Sequence, residues 1–157
     1  MDVEVVDAKT GKSFKATIVE PPASFFEFTS HSELTGEQIK SMIDRLDVSA
    51  DIKAMLHSFA SATITVGRAI VKIGRKIIEA LFSLVKHFPE LSFGVLFGLL
   101  VGALVASIPV IGALLGTLAT TIGLALGIAL GAKHELEKND LGERINSFLR
   151  ELGALAA

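Results

Sequence analysis

The chain has 157 residues, half of them hydrophobic, with a mean hydropathy of +0.57 and a net charge of −2. That length suits one domain, or one small domain with a membrane element. The near-neutral balance excludes a global basic field for nucleic acid, and the lack of cysteine excludes disulfides, thiolate metal sites and cysteine nucleophiles.

The start, Met1-Asp2-Val3-Glu4, is polar and acidic and does not read as a secretory signal peptide, so the N-terminus is expected in the cytosol. Residues 2–19 read as a β-hairpin. Val3, Val5, Phe14, Ala16 and Ile18 recur at period two, and Lys9-Thr10-Gly11-Lys12 supplies a turn. Gly11-Lys12-Ser13 resembles the end of a phosphate-binding loop, but Val6 stands where its first glycine belongs, and the turn reading is kept. Pro21-Pro22 stops the strand. Phe25, Phe26 and Phe28 follow as a short third strand or a hydrophobic plug. Residues 1–30 are thus expected to form a cytoplasmic cap.

Residues 35–88 read as amphipathic helices. Thr35-x-x-Gln38 is a capping-box pattern ahead of Ile39, Met42, Ile43 and Leu46. Ser49 can cap a long second helix over 50–88. Along it Ile52, Leu56, Phe59, Thr63, Val66, Ile70, Ile73, Ile77, Ala80 and Leu84 alternate steps of four and three, as in a coiled-coil seam. Arg68, Lys72, Arg75, Lys76 and Lys86 form a basic stripe beside that seam. Pro89 ends the helix.

The 42 residues between Glu90 and Lys133 carry no charge. Leu91–Ile108 is one apolar segment, Pro109 breaks it, and Val110–Ala132 is a second. Residues 91–132 therefore read as a two-helix transmembrane hairpin, with lengths that suit a hydrocarbon core of about 30 Å. The basic residues before it, and Lys133 after it, place both termini in the cytoplasm and the protein in the inner membrane. Residues 140–157 read as a C-terminal amphipathic helix opened by Asp140-x-x-Glu143, with Leu141, Ile145, Phe148, Leu152 and Leu155 on one face.

Glycines recur every fourth residue in the apolar run. Gly94, Gly98 and Gly102 form one ladder, Gly123, Gly127 and Gly131 another, and Gly112 with Gly116 a further pair. Such ladders let helix backbones approach closely, which predicts packing within the hairpin and a homo-oligomer. No catalytic constellation is recognisable, and His31, His57, His87 and His134 lack metal-ligand spacing, so neither an enzyme nor a cofactor is expected.

The predicted fold is mainly α, and the expected partners are the bilayer, other copies of the chain and a cytoplasmic protein. This plan resembles that of pore-forming bacteriocins, holins and some phage-defence effectors, on composition alone. Glycine ladders, an uncharged hairpin tip and a long seam-bearing helix together point to a pore-forming or membrane-perturbing role. The alternatives are a non-conducting membrane anchor or scaffold subunit of a larger complex, and a soluble α-helical oligomer with a buried hairpin.

Overall fold

Two hairpins far apart in sequence build one sheet in the computed structural model, which describes residues 1–6, 11–114 and 140–155. Strands β1 (Asp2–Val6) and β2 (Ser13–Thr17) pair antiparallel, with Val5 opposite Phe14 and Val3 opposite Ala16. This is the hairpin that the period-two pattern predicts. Gly11 takes φ +69°, the left-handed region that favours glycine. One further rung closes the ladder: the Met1 amine donates to the Ile18 carbonyl at 2.7 Å, and the Ile18 N–H to the Met1 carbonyl at 2.8 Å.

The other edge of β1 takes β3 (Ile64–Val66), and β3 takes β4 (Ala69–Val71), giving the order β2-β1-β3-β4, antiparallel throughout. Only Gly67 and Arg68 separate β3 from β4. Gly67 has φ +61° and Arg68 does not share that sign, the arrangement of a II′ hairpin turn.

Mainly helical structure surrounds the sheet. The chain runs through α1 (Ala23–Ser30), α2 (Gly36–Asp44), α3 (Ala50–Ala60), α4 (Ile73–His87), α5 (Phe93–Ser107), α6 (Pro109–Leu114) and α7 (Asp140–Glu151), then a short 3-10 turn at Gly153–Leu155. The three phenylalanines left open as strand or plug lie on α1, with Phe25 buried. The capping box forms as expected: Gln38 N–H donates to Thr35 Oγ1 at 3.1 Å, and Thr35 N–H to Gln38 Oε1 at 2.8 Å. Ser49 caps α3 by accepting from Ile52 N–H at 3.3 Å.

The long helix expected over 50–88 is instead α3, a β-hairpin and α4. Thr63-Ile64-Thr65-Val66 is a β-branched run, a type of residue that loses rotamer freedom in a helix and packs well on a pleated surface. Gly67 then turns the chain back. Ile64, Val66 and Val71 are buried on one sheet face, while Ile70, counted in the helical seam, is 70% exposed. Gly74 lets α4 leave the sheet and cross α3 at close range. Its N–H donates to the Ala62 carbonyl at 3.1 Å, and a Cβ there would collide with the Phe59 carbonyl oxygen.

The core joins Val3, Val5, Ile64 and Val66 of the sheet to Leu56 and Phe59 of α3 and Ile73, Ile77 and Leu81 of α4. It continues into α5 through Leu96, Leu100 and Leu104. Helix α6 turns back onto β1 and β2, with Ile111 fully buried.

This arrangement overturns the transmembrane reading. Among the described residues no helix is long and apolar enough to cross a membrane. Helix α5 has 15 residues, a rise of about 22 Å against a hydrocarbon core of about 30 Å. Ser92 remains outside it as its N-cap, accepting from Val95 N–H at 3.3 Å, and Ile108 leaves the helix ahead of Pro109. Helices α4 and α7 pack against α5, and Leu96, Leu99, Leu100, Val101 and Leu104 are buried in the protein. The transmembrane hairpin, the pore-forming role built on it and the integral inner-membrane location are withdrawn together. Residues 115–132, most of the second predicted segment, lie outside the described residues.

Candidate docking cleft

The residues predicted as functional are dispersed. Gly94 is exposed at the start of α5 with no atom near a built Cβ, whereas Gly98 and Gly102 are buried within the same helix. Gly112 lies on α6, where a Cβ would stand 3.8 Å from Val105 Cγ1. Gly116, Gly123, Gly127, Gly131 and His134 lie outside the described residues. The basic stripe is not one helical face. Arg68 is in the β3–β4 turn, Lys72 precedes α4, Arg75 and Lys76 lie in its first turns, and Lys86 is exposed near its end.

Three residues of α4 instead form a clasp on the α1–α2 connection. Lys76 Nζ donates to the His31 carbonyl at 2.6 Å and stands 4.4 Å over the Phe28 ring. Arg75 Nη2 donates to the Leu34 carbonyl. Glu79 accepts from Ser32 Oγ and, at 3.2 Å, from Leu34 N–H. It also pairs with Lys76 at 3.6 Å and Arg75 at 3.9 Å. Arg75 Nε is buried and has no hydrogen-bond acceptor among the described residues.

Between α1 and β4 this clasp leaves a cleft of about 530 Å³. Phe26, Glu27, Thr29 and Ser30 line one wall, and Ala69 to Lys72 the other. Arg75 and Lys76 also line the cleft. The β4 wall is an open sheet edge. Val6 N–H donates to the Thr63 carbonyl at 3.4 Å, so Thr63 and Thr65 direct their backbone groups toward β1. Ile64 and Val66 then direct theirs toward Val71 and Ala69. Ile70, between those two, turns its N–H and C=O outward. Among the described residues neither group has a partner. Lys72 and Arg68, on either side of Ile70, are exposed and make no ion pair among the described residues.

A second groove, of about 450 Å³, separates α4 from α7. Its rim carries the Arg144–Asp140 pair at 3.2 Å, and no sheet edge borders it. His57 contacts Asp44 at 2.8 Å and His87 the Ser83 carbonyl at 2.7 Å, so neither joins the other. Among the described residues no cluster could hold a metal ion.

The four-three apolar spacing places Ile70 on a helix and so hides the cleft. The signal was present in the β-branched run before Gly67. Neither a family model, nor a curated protein, nor a solved structure matches the chain.

Proposed function

We propose that the protein is a non-conducting scaffold subunit of a larger complex, acting by binding rather than by catalysis. The observation that carries this reading is the outward-facing backbone of Ile70 at the edge of a cleft. An unpaired strand edge is a template for a partner chain, and proteins usually shorten, charge or cover it. Here α1 approaches β4, and the cleft between them keeps the exposed Ile70 reachable. Exposed Ile70 and half-buried Phe26 offer apolar surface beside it, as strand-addition sites do.

Site-specific photo-crosslinking in the native host tests the proposal. A photoreactive residue at position 70 is expected to capture a second protein, whereas one at Lys40, exposed on α2, is not. Equal capture at both positions, or none at position 70, overturns the reading.

A further inference from the structure

Resting on that reading, we infer that the cleft takes an extended acidic segment of a partner protein, added as a strand along β4. The argument begins with geometry. β4 has three residues, and only Ile70 directs backbone groups outward, so the edge offers one donor and one acceptor. Two backbone hydrogen bonds contribute only a few kcal/mol at most. Selectivity must therefore come from the side chains around them.

Those side chains are predominantly cationic. Lys72, Arg75 and Lys76 line the cleft and Arg68 is exposed in the adjoining β3–β4 turn, against Glu27 on the cleft wall and Glu79 in the clasp. Glu79, Arg75 and Lys76 engage one another in the clasp, which leaves Lys72 and Arg68 as the cations here with no carboxylate partner among the described residues. A carboxylate entering from the cleft would meet Lys72. A basic segment would place its charge beside Lys72 and Arg68, which costs binding energy. In an extended chain, side chains alternate between faces, so an acidic residue toward Lys72 leaves its neighbours free for the opposite face.

The test uses the full chain and three end-capped, fluorescent nine-residue peptides, in which valine alternates with glutamate, glutamine or lysine. Fluorescence anisotropy at low salt is expected to rank glutamate above glutamine by about tenfold, equivalent to about 1.4 kcal/mol. The lysine peptide is expected to bind most weakly. Lys72→Glu should abolish or invert that order. Ile70→Pro, which removes the outward N–H, should weaken all three peptides without changing their ranking. If Ile70→Pro impairs folding, Lys72→Glu alone still decides the outcome.

Equal binding of the three peptides, or a ranking unmoved by Lys72→Glu, overturns the acidic preference. Capture of a partner at position 70 would in that case leave the scaffold reading standing. Failure of both experiments removes both.

Discussion

Leu34 and Glu79, 45 residues apart, are joined by a backbone N–H donating to Oε1 at 3.2 Å. The same carboxylate accepts from Ser32 and balances Arg75 and Lys76. One half-buried side chain thus ties α4 to the connection between α1 and α2.

Glu79→Ala is expected to destabilise the protein by about 2 kcal/mol, because it leaves Leu34 N–H and Ser32 Oγ without their acceptor and Arg75 and Lys76 without their counter-charge. Urea denaturation measures the loss. Limited proteolysis should show faster cleavage near residues 31–34 in the variant. An unchanged midpoint and cleavage rate would mean that the clasp contributes nothing.

Gly74→Ala probes the crossing of α3 and α4. The added methyl collides with a backbone carbonyl, which cannot rotate aside as a side chain can. Overpacking of this kind costs about 1–3 kcal/mol or more. Gly36→Ala at the start of α2 meets no atom within 4 Å and should raise stability slightly, by up to about 1 kcal/mol, through helix propensity. Thermal unfolding of the two variants should move in opposite directions.

The glycine ladder of α5 is expected to divide in the same way. Gly94→Leu should leave the melting temperature within a few degrees of the parent, since that position opens to free space. Gly98→Leu, at a buried position, should cost at least about 1–3 kcal/mol. Equal tolerance at both sites would show that the helix face carrying Gly98 is not packed.

Leu100→Ala tests α5 as a protein core element. The side chain is 1% exposed, and deleting a buried leucine side chain costs about 2–5 kcal/mol. The loss should appear in detergent-free denaturation. A much smaller loss would mean that protein does not enclose α5.

What the sequence made legible was local chemistry. Thr35 and Gln38 lie close enough to announce their cap, and the first hairpin shows its turn glycine and its alternation within a few residues. What it hid was non-local. Nothing near Val3 says that Val66 will lie opposite it. The four-three spacing from Ile52 to Leu84 is shared by two helices and a hairpin, because Val66 and Ile70 occur where either period permits an apolar residue. A charge-free run satisfies lipid and protein interior equally, and the brevity of α5 depends on Ser92 and Pro109 acting as stops. Arg75 and Lys76 read as a basic surface because the loop carbonyls that hold them, those of His31 and Leu34, come from another part of the chain.

The place of β1 in the middle of the sheet also constrains biosynthesis. One side of β1 finds β2 within a few residues, but its other side waits for Ile64–Val66. Until those residues leave the ribosome, the nascent chain displays an unpaired edge at Val3–Val5 together with the apolar face of its hairpin. A truncation before Thr63 would make that interim exposure permanent, and such fragments should associate through β1 rather than remain single.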